Sequence, residues 1–435
     1  MTFKNDYDGK GFVKLNKEIF DVLLITEKST IALNNADINQ LYFIEDIFKF
    51  CLIGTMTFND RYNLMEYGPF TGNEKIAIVY AVDDKRSREL LFDIWKVGRI
   101  QQIGTGINET SENMITMHFV DPFFNNLTQR RYSRSWSNEY YSNIMRDVLN
   151  NMVDFKAGGR PLNIEQSKNK TDFIIPYWTP QTAMRWLMRR AKGKQSDTSG
   201  YLCFNNTKET LSHNLVTMNY LLNDEWKSID PVKYEFTKGE VSGENKILEW
   251  WINGIDRISL PAVRGGIWRG YNFNTKKLLN YEHVYSDGAD NTVCLGRKTL
   301  YNQIDDTASY STFTGDNSDS VLEDISYNDW AKRYNMQFIM NIIVQGHDKR
   351  YAGQQIEIDW PDSMANLGTT SFNNLLKGKY LIKSVTHSFS PGGTFPYKQR
   401  LVLIKNAYNQ IESDILYKAK KQNVFADKTV RTILR

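Results

Sequence analysis

The sequence predicts a β-rich α+β protein of several domains, with β segments at both ends and an inserted α+β domain between them. Three observations carry this expectation. The chain has 435 residues, more than one ordinary core accommodates, so roughly two to four domains are expected. Aromatic residues make up 13%, with 24 Tyr, 23 Phe and 10 Trp, types that favour strands and anchor interfaces. Short apolar runs bounded by turn residues recur near both termini, and the clearest helical periodicity lies in the stretch between them.

In the first part, residues 1–122, apolar and aromatic residues dominate from Leu41 to Phe58, broken by Glu45-Asp46 and Gly54. Asn59-Asp60 reads as a turn, because both side chains can bond the local backbone. Gly68-Pro69 and Gly72-Asn73 punctuate the next stretch. Lys75 to Val82 is a buried-strand candidate, and Leu90 to Val97 and Met114 to Val120 are similar.

After Asp121-Pro122 the period changes. Tyr141, Ile144, Val148 and Met152 share one face of a helix expected over Asn138 to Phe155, with Ser137 or Asn138 as its cap. A second helix starts at Thr179-Pro180, where Thr suits the N-cap and Pro the first helical position. It presents Ala183, Leu187 and Ala191, and Gly193 is its expected stop. Asp172 to Ile175 reads as a short strand between the helices. Residues 123–222 therefore read as a separate α+β domain. Residues 223–334 read as a connecting segment: Glu244 to Ile258, with Trp250-Trp251, as a helix, and the polar stretch from Asp305 to Asp324 as a long loop or extension.

Residues 335–408 return to period two. Phe338, Met340, Ile342 and Val344 alternate with their neighbours, Gly346 to Gly353 carries a turn, and Ile356, Ile358 and Trp360 alternate again. Tyr380 to Phe389 and Tyr397 to Ile404 form a hairpin through Pro391-Gly392-Gly393. Residues 409–435 read as a charged, partly helical tail. Two β-barrels of similar size account for this layout.

Hydrophobic residues at 41% and charged residues at 24% suit a globular chain. The net charge of +4 arises from 54 basic and 50 acidic residues, without the basic excess of a dedicated nucleic-acid binder. Cys51, Cys203 and Cys294 lie far apart, which argues against a zinc site or a disulfide framework and suits a reducing compartment. The polar N-terminus lacks the apolar core of a signal peptide. No stretch approaches the roughly 18 apolar residues needed to span a bilayer, so no membrane insertion is expected.

Motifs for chemistry are missing. Gly239-Glu-Val-Ser242-Gly243 has the wrong spacing for a nucleophile elbow. Gly378-Lys379 lacks the rest of a Walker loop, and Gly104-Thr-Gly106 lacks a third glycine. His118, His213, His283, His347 and His387 form no ligand spacing, and an ordinary hydrogen-bonded role is expected for each. Asp316, Asp319, Glu323 and Asp324 lack the spacing of a calcium loop. Arg130, Arg131 and Arg134, and Arg185, Arg189, Arg190, Lys192 and Lys194, form basic stretches that could meet phosphates or an acidic partner, although a solvated face is the expectation for most of them. Trp178 and Trp250-Trp251 fit either cores or interface anchors.

Several stretches resemble the baseplate hub proteins of phage tails. Leu41-Tyr-Phe-Ile-Glu-Asp-Ile-Phe-Lys-Phe-Cys-Leu-Ile-Gly-Thr-Met-Thr-Phe-Asn-Asp-Arg-Tyr-Asn63, followed by Gly68-Pro-Phe-Thr-Gly-Asn-Glu-Lys-Ile76, resembles the family's strand with an E-D pair, its N-D turn and its P-x-T-G-x-E segment. Gly378-Lys-Tyr-Leu-Ile-Lys-Ser-Val-Thr-His-Ser-Phe389, then Tyr397 to Asn406, resembles the closing hairpin. Ile175-Pro-Tyr-Trp-Thr-Pro-Gln-Thr-Ala-Met-Arg-Trp-Leu187 resembles a helix start in the inserted domain. Residues 265–335 lie outside the resemblance and read as a lineage-specific extension.

The resemblance, which extends to the base of type VI secretion spikes, implies two tube-like β-barrels per subunit, at 1–122 and 335–408. Three subunits then set six barrels in a closed ring, a homotrimer matched to a sixfold tail tube on one side and a trimeric spike on the other. Barrel contacts between subunits would extend sheets and cover exposed edges. The implied partners are the tail tube protein, the spike protein and other baseplate proteins, with genomic DNA passing through the lumen without sequence recognition. A mildly charged wall suits such transit. The implied location is the virion tail, assembled in the host cytoplasm, with no cofactor, no metal and no enzymatic role. The residues expected at barrel-strand interfaces are Glu74, Ile76, Ile78, Tyr80, Ile342, Val344, Ile356, Ile358, Tyr380, Ile382, His387 and Leu401. The competing readings are a tail-associated cell-wall hydrolase and a receptor- or carbohydrate-binding tail protein.

Overall fold

The computed structural model describes residues 20–406 except 28, 62–63, 65–71, 84–85, 104–111, 157, 209–210, 224–231, 236–244, 256–265, 273–275, 284–294, 296–318, 360–375 and 392–395. The first part contains β1 (Phe20–Ile25), β2 (Thr30–Leu33), β3 (Ile38–Asp46), β4 (Ile53–Asp60), β5 (Lys75–Asp83), β6 (Arg86–Ile103) and β7 (Glu112–Val120). The middle region contains β8 (Tyr132–Tyr140), β9 (Leu162–Ile164), β10 (Lys170–Trp178), β11 (Tyr201–Asn206) and β12 (Ser212–Thr217). Then come β13 (Val232–Glu235), β14 (Ile247–Ile255) and a hairpin of β15 (Gly266–Asn272) and β16 (Lys277–His283). The last strands are β17 (Phe338–Gln345), β18 (Gln355–Asp359), β19 (Gly378–Phe389) and β20 (Tyr397–Lys405).

Thirteen of these strands belong to one sheet, in the order β14-β17-β20-β19-β3-β4-β7-β6-β5-β1-β2, with β18 also pairing β19 and β13 pairing β18. The sheet has two halves, each wrapped on its own apolar core. The first core contains Phe43, Met56, Phe58, Ile76, Ile78, Tyr80, Phe92, Met117 and Phe119. The second contains Phe338, Met340, Ile342, Val344, Ile356, Tyr380, Val385, Leu401 and Leu403. Strand alternation builds both: along β4 every second side chain is buried, as a half-buried pleat requires.

β19 and β20 serve both halves. Most of their inward residues fill the second core, but Phe389 and Tyr397 enter the first, where their rings stack at 4.7 Å and Tyr80 lies 5.7 Å from Tyr397. β19 also changes partner along its length. Residues from Gly378 to Leu381 pair with β18, and Ser384 to Phe389 pair with β3. The register slips between Ile382 and Ser384, a bulge that re-aims the strand where it passes from one half to the other.

The middle region packs its helices on a separate core that includes Ile144, Val148, Ile175, Ala183, Leu187 and Tyr201. The helix Pro180–Arg190 begins as expected, with Thr179 Oγ1 accepting from Thr182 N at 3.3 Å. It ends sooner than Gly193, at Arg190, with Ala191 as its cap.

Other expectations are corrected. The helix expected over Asn138 to Phe155 is shorter: an α-helix at Tyr141–Asp147 followed by a π turn at Val148–Met152. Residues 132–140 are strand, and Ser137 and Asn138 donate to Asp172 rather than capping. Asn59-Asp60 ends β4 instead of forming a turn. The helix expected over Glu244 to Ile258 is the strand β14, paired with β17; Trp250 and Ile252 lean on the second core and Trp251 takes the opposite face, beneath Arg400 at 4.9 Å. Part of the expected polar loop is a helix, Asp319–Tyr334, because Leu322, Ile325, Trp330, Ala331 and Tyr334 find partners there and become buried. The expected tail at 409–435, Cys294, Asp316 and the rest of the Asp305–Asp324 stretch up to 318 lie outside the described residues.

Two predictions follow from these cores. A Cβ on Gly54 would lie 2.2 Å from the Phe119 ring and 2.6 Å from Tyr42 O. Gly54→Ala should therefore cost about 2 kcal/mol or more. Gly72→Ala meets only the strain of φ +98, about 1 kcal/mol. Thermal unfolding of both variants checks the order.

Lys405 is fully buried, 4.2 Å from the Tyr380 ring centre, and burial lowers it from 10.5 to about 7. Between these values the unfolded chain holds a proton that the folded chain lacks, so stability rises with pH across the interval and is lowest below it. Lys405→Met should abolish that slope and raise stability at pH 6 by on the order of 2 kcal/mol, read from melting temperatures between pH 6 and 10.

Candidate assembly face

The seam between the two halves is built on a buried carboxylate. Glu45 ends the alternating run of β3 with its side chain inside the protein, at 0% exposure. Oε1 accepts from His387 Nε2 at 3.1 Å and from Thr207 Oγ1. Oε2 accepts from Ala352 N at 3.0 Å. One side chain thus gathers β3, β19, the middle region and the turn after β17.

The network continues into the second half. His387 Nδ1 lies 2.8 Å from Tyr397 Oη. Burial, with Tyr80 and Glu45 nearby, holds the Tyr397 phenol well above its usual range, so it keeps its proton and donates to Nδ1, while Nε2–H donates to Glu45. Gln399 Nε2 donates to Tyr397 Oη at 3.0 Å, and Gln399 Oε1 accepts from Arg350 at 3.0 Å. Arg350 Nε reaches Tyr234 Oη at 2.7 Å. Phe43 stacks on the His387 ring at 4.2 Å. Beside this chain, Asp46 accepts from Phe48 N at 2.8 Å and pairs with Lys383 at 3.0 Å.

Two more buried carboxylates fasten the middle region. Asp121 pairs with Arg160 and accepts from Asn205 Nδ2 at 2.8 Å and Phe123 N at 3.0 Å. Glu165 accepts from Ser196 N, Thr217 N and Thr217 Oγ1 at 3.0, 2.9 and 2.8 Å. Buried charges survive only when their lone pairs are filled in this way.

Joining the halves gives one unbroken sheet face directed away from both cores. Register places Gln345, Lys398, Ser388, Tyr42, Thr55, His118 and Lys96 in a single row across β17, β20, β19, β3, β4, β7 and β6. None of these side chains is fully buried. The row is polar, with a lysine near each end and no carboxylate. Thr55 Oγ1 and His118 Nδ1 lie 3.1 Å apart. Trp95, 56% exposed, stands over a small apolar recess lined by Tyr42, Ile44, Ile53 and Val120.

The twelve residues expected at barrel-strand interfaces all have their side chains buried within the chain. Glu74, Ile76, Ile78, Tyr80, Ile342, Val344, Ile356, Ile358, Tyr380, Ile382, His387 and Leu401 are each 6% exposed or less. Glu74 accepts from Gly72 N at 2.9 Å, His387 belongs to the seam, and the others fill the two cores. Thr207, Arg350 and Gln399 carry no expectation from the sequence, and Glu45 enters it only as part of the E-D pair. The signal was a charged pair, Glu45-Asp46, inside an otherwise apolar strand.

The basic stretches are largely engaged. Arg130, Arg134 and Arg189 pair with Asp154, Asp147 and Asp329, and Arg131, Arg185 and Arg190 lie over the rings of Tyr177, Phe50 and Trp186. His213 is buried against Phe155 at 3.8 Å, and burial together with Arg160 holds it well below the ordinary range. Among the described residues no group of three or more His, Cys, Asp or Glu side chains converges as a metal site, and no helix is long and apolar enough to cross a membrane.

Removing Glu45 leaves His387 and Ala352 N buried without their acceptor. Glu45→Ala should cost about 3 kcal/mol. A double-mutant cycle with His387→Ala should show a coupling of about 1 kcal/mol or more, measured by thermal unfolding. Additive effects would dissolve the proposed link.

No family model matches the sequence, and no curated protein sequence matches it. Solved structures do match. A tail protein from Neisseria meningitidis MC58 superposes with a TM-score of 0.54 at 10% identity, over 89% of this chain and 97% of that one. The 43 kDa tail protein of prophage MuSo2 from Shewanella oneidensis superposes with a TM-score of 0.52 at 8% identity, over 90% of this chain and 100% of that one. The chain therefore has the fold of phage tail proteins.

Proposed function

We propose that the protein is a structural tail component, a hub that forms a trimeric, pseudo-sixfold ring between the tail tube and the tail-tip spike. The observation that carries this reading is the β3–β19 pairing, which joins two sheet halves edge to edge within one chain. A chain that already places two such units side by side needs only three copies to complete six. In this reading the units are centred on 1–122 and 335–408, with β13 and β14 completing the second.

The outward sheet face would line the lumen. Its threonines, serine and scattered lysines offer DNA a wettable wall with little to grip, since a few separated charges neutralise few phosphates. Trp95 would serve as a contact anchor at the margin. The tail tube protein, the spike protein and other baseplate proteins are the partners on this reading, and the role in the virion is structural rather than enzymatic.

The absolute mass of the full-length protein in solution, with negative-stain images of the same peak, tests this. The expected result is a trimer with an open centre. A monomer that persists at high concentration, and forms no ring when mixed with the tail tube protein, would sink the reading.

A further inference from the structure

The middle region has a cleft that the assembly role leaves unused. Two open recesses meet there. One, of about 480 Å³, lies between Glu165, Gln166, Lys194, Gln195 and Tyr220. The other, of about 230 Å³, shares Gln166 and Lys194 and extends to Tyr140, Asn143 and Lys168. The larger recess falls within the roughly 300–1,000 Å³ typical of small-ligand sites.

The walls are pinned. Glu165 spends its carboxylate on Ser196 and Thr217, so it supports the floor and is not itself a ligand group. Lys194 N donates to Gln166 O and Lys168 N to Lys192 O, both at 2.7 Å, which holds the two rim segments together. A Cβ on Gly193 would lie 2.3 Å from Glu165 Oε1, so only glycine lets the rim approach this closely.

The groups at the mouth contrast with the walls. The side chains of Gln166, Lys194 and Gln195 are exposed, and none has a hydrogen bond or ion pair among the described residues. Lys168 and Lys192 share a single carboxylate, Asp197, at 2.7 and 3.9 Å, and Lys194 makes no ion pair among the described residues. Tyr140, 39% exposed and with Lys170 Nζ 4.7 Å from its ring centre on one face, and the half-buried Tyr220 bracket the mouth.

A free amide offers a donor and an acceptor together, the pattern that adjacent hydroxyls satisfy. An uncompensated ammonium selects a carboxylate. Tyrosine faces suit a partner with one apolar side and one polar edge. We infer that this cleft binds an acidic saccharide, with Lys194 on the carboxylate and Gln166 and Gln195 on the ring hydroxyls. The inference rests on the middle region alone and stands apart from ring formation.

The test is calorimetric titration of the full-length protein with trigalacturonic acid and, separately, maltotriose. The acidic sugar should bind saturably, more weakly as salt rises, and at least about tenfold more tightly than the neutral one. Lys194→Ala should weaken it about tenfold or more. Gln166→Ala should weaken it as well, while Lys349→Ala, remote in the sequence and exposed, leaves it unchanged. Both cleft changes are at exposed side chains, so melting temperatures should match the parent. Absence of saturable binding would overturn the inference. So would equal binding by the parent and the Lys194→Ala, Gln166→Ala double variant, or displacement by inorganic sulfate as effective as by free galacturonic acid, which would mark simple ion exchange.

Discussion

Glu45 has no access to water and sits where three parts of the chain meet, and the arrangement of those parts depends on its partners staying in place. A carboxylate in that position is unfavourable unless each lone pair is filled. His387, Thr207 and Ala352 fill them from β19, the middle region and the turn after β17. Small shifts of any one part would strand the charge, so a single group holds all three in register. Apolar packing alone tolerates sliding between sheets far better than such a network does.

The shared hairpin β19–β20 carries the same logic into the cores. It is the spine of the second half, yet its Phe389 and Tyr397 complete the first. The first half's core is therefore incomplete without residues of the second. That makes the pair of halves one mechanical unit, and it leaves a continuous outward face on which side chains from seven strands fall into one row. That row holds hydroxyls and an amide fixed in place on a rigid sheet, with charges that remain sparse.

The middle region relates to this frame through Asp121 and Glu45, and its own interior is organised by Glu165. These carboxylates divide the work: two lock the region to the sheet, and one shapes a cleft that faces away from that task. Arg189 and Asp329 add a further clasp at 2.7 Å between the Pro180–Arg190 helix and the Asp319–Tyr334 helix, and burial raises Asp324 on the latter to about 7. The region thereby keeps a firm scaffold beneath exposed, uncommitted side chains.

Much of this was legible in the sequence. Period-two runs such as Phe338 to Val344 and the turn residues at Pro391-Gly392 marked strands and a hairpin, and Thr179-Pro180 marked a helix start, because these signals are local and act through the backbone itself. What failed was decided by distant partners. Glu244 to Ile258 carries apolar residues at spacings that fit either structure, and pairing with β17 makes Ile247–Ile255 a strand. The helix Asp319–Tyr334 shows little amphipathic pattern because it is enclosed on several sides, and its first turns, up to Asp324, fall in the stretch read as a polar loop. Glu45 looked like an interruption in an apolar run until His387, 342 residues away in the chain, came beside it. The sequence by itself determined the locally signalled elements, the period-two strands with their inward alternation, the closing hairpin and the helix start at Thr179-Pro180. Only the tertiary structure decided which strands share a sheet, which carboxylates are buried and what fills them, because those energies exist only between groups that folding brings together.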